Sequence, residues 1–210
     1  MQFADIIGQK ETKQQLAELV QHNRLSHALL FLGKEGSGSL SLAIAFAQYV
    51  VCEKVNGGKS GVGSQESGPS LFGEPENSNV EPPTLNDSCG VCPACQKAQQ
   101  LIHPDIHFSY PTVTKKPGEK PVATDFITDW REFVKLSPYG NSYDWIEQIK
   151  EKENSQGKIT AEECNDIIRK LSLKSFESVY KILIMWMPEM LGTEGNKLLK
   201  LIEEPPANTL

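Results

Sequence analysis

Two groups of residues in this chain have types and spacings that chemistry needs. The first is Gly33-Lys34-Glu35-Gly36-Ser37-Gly38-Ser39-Leu40. Glycines at these offsets let backbone N–H groups close around phosphate, and the loop stands between an apolar run and a helical pattern, as a phosphate-binding loop does. A working loop also carries a Lys for the β- and γ-phosphates and a Ser or Thr hydroxyl for Mg²⁺. Ser39 stands at the lysine's place and Leu40 at the hydroxyl's, while Lys34 lies at the far end of the loop. The other half of such a site is an apolar strand ending in an Asp for Mg²⁺ and a Glu that polarises the attacking water. Ile182-Leu183-Ile184-Met185 is such a run, but Trp186 and Met187 follow it, and Glu189 comes only after Pro188. Four charge- or oxygen-bearing groups are thus missing from two motifs. Hydrolysis is not expected. Passive phosphate binding through backbone N–H groups stays open, as does a plain glycine-rich turn.

The second group is Cys89-Gly-Val-Cys92-Pro-Ala-Cys95, three thiols in a tight turn. A structural Zn²⁺ takes four ligands in a tetrahedron and favours thiolates. Cys52 is the fourth candidate, with residues 53–88 intervening. Closing that long loop rather than a six-residue one costs only ~1.6 kcal/mol more, against ~10–16 kcal/mol for structural Zn²⁺ in small fingers. An iron–sulfur pattern would want a further cysteine near position 99, which is Gln99. His103 or His107 as fourth ligand, or a set of free thiols, are the alternatives. The spacing favours four cysteines and zinc. Cys164, on an apolar helical stripe, reads as a core residue.

These groups need elements to position them. Leu16, Leu19 and Val20 mark a helix over 10–22, and Ala28–Leu32 reads as a buried strand leading into the glycine loop. Leu40, Ala43, Ile44, Ala47 and Val51 carry the next helix to Cys52. Residues 53–88 hold six Gly, six Ser, four Pro and four Asn, and are expected to be a long mobile insertion. A helix from the knuckle to about Ile102 and a strand over Asp105–Tyr110 follow, then a loop over 111–121. Phe126, Ile127, Trp130, Phe133 and Val134 predict a helix closed by Pro138, and Trp145, Ile146 and Ile149 a short one. Thr160 with Glu163 forms a capping-box pattern before a helix whose expected buried face is Cys164, Ile167, Ile168 and Leu171. Ile182–Met187 reads as a central strand, and Asn196–Glu203 as a helix stopped by Pro205-Pro206.

The net charge of −6 and pI near 5.3 argue against a protein that grips DNA unaided, because neutralised phosphates supply most of that affinity. Lys115, Lys116 and Lys120 read as a solvated loop, with a zinc-dependent nucleic-acid module as the rival view. No signal peptide or apolar run of ~20 residues is present. With an odd number of cysteines, three in one knuckle, the expected compartment is the cytoplasm.

Taken together, the motifs resemble the clamp-loader subunits of bacterial DNA polymerase III, in the AAA+ family. Ser26-His27-Ala28-Leu29-Leu30-Phe31-Leu32-Gly33 resembles their entry to the phosphate loop, and Cys52, Cys89, Cys92 and Cys95 their zinc module. His103-Pro104-Asp105 is similar to the start of their next strand, and Ile168–Leu171 with Tyr180-Lys181-Ile182 to the approach to their second ATPase motif. Asn196–Lys200 with Glu203-Glu204-Pro205-Pro206 is the most specific stretch.

The resemblance implies an α/β AAA+ (RecA-like) fold over 1–210, a parallel sheet flanked by helices. Within it would lie a zinc module over 52–95 and a helical insertion over about 111–157, an added partner surface by expectation. Degeneracy of both motifs points to the delta-prime branch rather than gamma/tau: a stator without ATP, with delta and gamma/tau as partners. The sliding clamp and primed DNA would be met only through that complex, and no membrane. That branch donates an arginine to its neighbour's ATP site from a Ser-Arg-Cys motif, which does not occur here. A further AAA+ strand, lying between those near His27 and Tyr180, is also absent. The chain is therefore expected to be a fragment whose sheet gap is closed by direct pairing, by another chain or not at all. An ATPase with unconventional nucleotide binding is the rival enzymatic reading.

Overall fold

The computed structural model describes residues 1–56, 87–115, 118–151 and 155–210; most of the insertion expected over 53–88, and Lys116, lie outside them. In chain order the elements are α1 (Lys10–Gln21), α2 (Ser39–Val51), α3 (Glu53–Asn56), α4 (Pro93–Gln99), β1 (Ile106–Ser109), α5 (Ile127–Leu136), α6 (Ser142–Ile149), α7 (Ala161–Ser172), β2 (Ile182–Met185) and α8 (Leu199–Glu203). Strands β1 and β2 pair in parallel, Ile106 opposite Ile182 and Ser109 opposite Met185. The pairing is fixed by Ile182 N–H donating to Asp105 O and Trp186 N–H to Ser109 O, both at 2.8 Å.

Parallel strands are stable when both faces are covered, and these are. Ile106, Phe108, Ile182 and Ile184 face the main core with α2. Leu183 and Met185 pack with a smaller cluster of Cys164, Ile167, Leu171 and Leu198. Cys164 is fully buried there, as its apolar stripe predicted. The architecture is the expected α/β, AAA+-type arrangement of a parallel sheet flanked by helices.

Helix α2 is apolar on almost every side and correspondingly buried, so it forms the centre of the molecule. The other centre is aromatic. Tyr110 stacks on Trp130 at 4.0 Å between centroids, and Trp145 meets Trp130 edge-on at 5.3 Å. Trp145 Nε1–H donates to Pro111 O at 2.7 Å and the Tyr110 hydroxyl to Ala123 O at 2.6 Å, so the rings' polar tips are satisfied. Deleting one such ring typically costs about 3–5 kcal/mol. Trp130, Phe133 and Trp145 come from the segment read as an added partner surface, yet they are core residues. Helices α5 and α6 are part of the body that positions everything else.

Several expectations need correction. Ala28–Leu32 alternates like a strand, with Leu29 and Phe31 half-buried, but no ladder holds it, and Leu30 and Leu32 are 80% and 88% exposed. A strand needs a neighbour, and β2 is across a cavity of about 630 Å³. The β2 edge facing that cavity is occupied only at its start: Lys181 N–H donates to Asn208 O and Leu183 N–H to Leu210 O, both at 2.8 Å, and Leu210 N–H returns to Lys181 O at 2.9 Å. Direct pairing of Ala28–Leu32 with β2, one of the ways considered for closing the gap, does not occur.

Ile168 is 38% exposed, because it sits at the edge of the α7 stripe that Ile167 and Leu171 centre. The capping box has one arm: Thr160 Oγ1 accepts from Glu163 N–H at 3.1 Å, but the Glu163 carboxylate turns away to Ala123 N–H. Asn196–Glu203 is 3-10 helix up to Leu198 and α-helix only over Leu199–Glu203. The central strand ends at Met185, since Met187 adopts a left-handed backbone. The ends of the expected insertion are ordered: 53–56 form α3, and Asp87 accepts from Phe3 N–H at 3.2 Å and Ala4 N–H at 2.9 Å. Among the described residues no helix is long and apolar enough to cross a membrane.

Candidate functional site

The four cysteines predicted as ligands come together. Cys52 ends α2, Cys92 immediately precedes α4, Cys95 lies in the first turn of α4, and Cys89 arrives on the loop before them. Pro93 opens α4 at a position where its missing N–H is no loss. Gly90 turns the chain at φ +69°, where a methyl group would sit 3.0 Å from the Gln2 side chain. All four Sγ atoms lie within 4.8 Å of one another, and Cys89 and Cys95 Sγ are 3.9 Å apart. A tetrahedral ion with ~2.3 Å metal–sulfur bonds needs edges of about 3.8 Å. The four cysteines can therefore hold a metal ion after a small contraction.

Backbone donors already point at the sulfurs. Cys89 N–H reaches Cys52 Sγ and Cys92 N–H reaches Cys89 Sγ, each at 3.3 Å. Burial raises the Cys89 thiol, but the Val91 and Cys92 N–H groups and the neighbouring thiols outweigh it and bring the group down to about 6. Burial raises Cys92, and burial with the adjacent thiols raises Cys95. Thiolates this close repel one another, a cost that a bound cation would offset. The histidines weighed as a fourth ligand are engaged elsewhere. His103 Nδ1 accepts from Asp105 N–H at 3.2 Å, with Nε2 3.5 Å from Glu177, and His107 lies on β1.

The glycine loop is where the motif placed it. Gly38 precedes α2 at φ +82°, a backbone that favours glycine, and no side chain caps the helix. Ser39 and Leu40 occupy its first turn, half-buried, with Leu40 against the core. Lys34 is exposed, and Glu35 accepts from Ser142 Oγ at 3.4 Å. Trp186 does not simply replace an acid at a solvent-facing post. Its ring is buried 5.4 Å from Trp130 and 5.7 Å from Phe133. Met187 and exposed Glu189 line the same cavity as Gly33, Gly36, Ser39 and Leu40.

Two residues near these groups have roles that the sequence did not show. Tyr139, next to the helix-closing Pro138, lies against Gly38 and accepts from Ile7 N–H at 2.9 Å. Asp105, buried before β1, accepts from the N–H groups of Phe176, Glu177 and Ser178 at 2.5, 2.8 and 2.8 Å, so it anchors the approach to β2.

Comparison with known proteins gives two findings. DNA polymerase III subunit tau/gamma of Haemophilus influenzae is 44% identical over 50 residues, which is 24% of this chain and only 7% of that protein. The family model described as DNA polymerase III, delta subunit, matches residues 8–70 and 69–210. With nearly its whole length matched, the chain belongs to the DNA polymerase III delta-subunit family.

Proposed function

We propose that the chain is a non-catalytic, delta-prime-type stator of the clamp loader that serves DNA polymerase III in replication. The observation that carries this reading is the nature of the replacements at the two ATPase motifs. Half-buried Leu40 packs against the core and Trp186 belongs to the aromatic cluster, and both line the cavity, so apolar groups stand where Mg²⁺ ligands are expected. A carboxylate at position 186 would be buried among rings, where an unpaired charge costs several kcal/mol at least, on the order of 3–5. The fold has absorbed what were catalytic posts. No ATP is used, and the chain works by holding a shape.

On this reading residues 1–210 are one AAA+ domain with a zinc module over 52–95. Zinc is the metal that four thiolates at tetrahedral spacing suit best. Bound at Cys52, Cys89, Cys92 and Cys95, it would tie the end of α2 to α4 and close the excursion of residues 53–88. Delta and gamma/tau subunits are the partners, the sliding clamp and primed DNA are reached through them, and the compartment is the cytoplasm. Lys115 pairs with Glu151 at 3.6 Å and lies 5.0 Å over the Phe126 ring, an arrangement of fold rather than of nucleic-acid contact.

The test is co-purification with the other loader subunits, with metal content and ATP turnover measured on the isolated chain. Stoichiometric zinc, complex formation and no turnover are expected; turnover without any partner overturns the stator reading. The match to a tau/gamma subunit favours a second reading, an ATPase that binds nucleotide unconventionally. Tight Mg²⁺-dependent ATP binding by the chain alone would support it.

A further inference from the structure

We propose that the N-terminal turn Phe3–Asp5 is a working part of the metal centre, with Gln2, Gln48 and Asp87 as positioning residues that bring Cys89 to Cys52. These roles rest on the four-cysteine metal reading and go beyond it, since none of the three side chains is a ligand.

The other thiols need little help. Cys92 and Cys95 stand three residues apart at the start of α4, and Cys52 ends α2, which packs on α4. Cys89 differs, because it follows the long segment 53–88 and no helix or strand carries it. Its sulfur nevertheless stands 3.9 Å from Cys95 Sγ, and its N–H 3.3 Å from Cys52 Sγ. Bringing the ends of so long a segment together costs loop-closure entropy, which contacts beside the ligand can offset.

The N-terminal segment makes those contacts. Asp87 accepts from Phe3 N–H at 3.2 Å and Ala4 N–H at 2.9 Å. The Gln2 side-chain amide donates to Ser88 O and lies against Gly90. Gln48, fully buried on α2, donates to Ser88 Oγ at 3.1 Å, and its oxygen accepts from the Met1 amino group at 2.9 Å. Asp87, Ser88 and Gly90 are thus held on both sides of the ligand. The turn is itself anchored. Phe3 is fully buried 5.4 Å from the Tyr49 ring, and Tyr49 O accepts from Cys52 N–H at 3.3 Å. The end of α2 that carries Cys52 therefore also supports the turn that holds Cys89. Two events that fix the same segment favour one another by the same factor in each direction. Docking of 87–90 on the N-terminal turn raises metal affinity, and metal at the thiols strengthens the docking.

Two measurements on the reduced, intact chain test this: zinc affinity by competition with a chromophoric chelator, and amide exchange of Phe3 and Ala4 with and without zinc. Asp87→Ala should weaken zinc binding about tenfold, the lower end of what outer partners of a metal site are worth. Gln2→Ala changes no charge and should also weaken it, by a smaller factor, which separates docking from plain attraction between a carboxylate and a cation. Asp87→Asn keeps an acceptor oxygen and should recover part of the loss. Zinc should slow exchange of Phe3 and Ala4 by at least the factor that Asp87→Ala costs, while the amides of α6 keep their rates. If Asp87→Ala does not fold, Gln2→Ala and the exchange rates still decide. Unchanged zinc affinity in folded Gln2→Ala, or exchange of Phe3 and Ala4 that ignores zinc, overturns the positioning role and leaves the four-cysteine reading standing. A chain that binds no zinc at all sinks both.

Discussion

Replacing Asp105 should weaken the protein more than any change at the glycine loop. The carboxylate is buried and takes three backbone N–H groups in succession, those of Phe176, Glu177 and Ser178. Burial alone would raise its pKa, but the three donors, with His103, hold it below the ordinary Asp value. A hydrogen bond to a charged acceptor is worth about 1.5–3 kcal/mol net, but the donors are half-buried and water reaches them when the acceptor is lost. Asp105→Ala should therefore cost about 3–5 kcal/mol rather than the full sum. Asp105→Asn keeps one acceptor oxygen and the shape, and should cost about half as much. The pH dependence follows from the depressed pKa. The carboxylate's contribution is fully present above its unfolded value of about 3.9 and disappears as pH falls through the lower folded value. Urea unfolding of the unmodified chain and the Asn variant at pH 7, 5 and 3 measures this. The gap in midpoint should be constant between pH 7 and 5 and shrink at pH 3. A gap equally wide at pH 3, or a loss under 0.5 kcal/mol at pH 7, refutes the account of Asp105 as a charged anchor.

Further outcomes follow from other sites. Cys95→Ser, removing the most buried thiol of the four with Cys52, should abolish stoichiometric metal in native mass spectra and leave melting insensitive to chelator, whereas the unmodified chain's melting falls when chelator is added. Burial raises Glu163, so its charged form costs stability once pH climbs through that raised value; Glu163→Gln should flatten the pH dependence of melting above pH 5 and leave the variant no less stable at pH 8, since an amide oxygen can still accept from Ala123 N–H. A drop of the Gln variant at every pH would show the charge is needed. Gly38→Ala combines a left-handed backbone with contact on the Tyr139 ring and should cost about 1–3 kcal/mol in thermal or urea unfolding.

The legible parts of this chain are those where chemistry or periodicity acts locally. The cysteine spacing placed three thiols together because Pro93 and Gly90 bend the backbone locally, while Cys52 reaches them through the packing of α2 on α4, and α2's apolar repeat predicted its helix. The glycine loop was equally local. What could not be read is where one segment's meaning depends on another. Ala28–Leu32 has a strand's alternation, but a strand exists only through its ladder, and no residue of 28–32 states whether a neighbour is there. Tyr139 is one aromatic in a Pro-Tyr-Gly-Asn turn, and its contact with Gly38 spans about a hundred residues that only the fold brings together. Trp130 and Trp145 looked like the apolar face of an added element for the same reason.

Those long-range contacts share a direction. Trp186 packs in the aromatic core, α5 and α6 supply the rings around it, and the turn between α5 and α6 sets Tyr139 against Gly38 and Ile7. On the proposed reading, the position where an acid is expected is thereby tied to the packing of α5 and α6. The rings that α5 and α6 supply pack against the large side chain at 186. Restoring a lysine at 39 and a hydroxyl at 40 would leave Trp186 in the aromatic core. Such a double variant is expected to remain inactive toward ATP, because the acids expected at 186 and 187 are still replaced by Trp186 and Met187; turnover by it would show that neither acid is required.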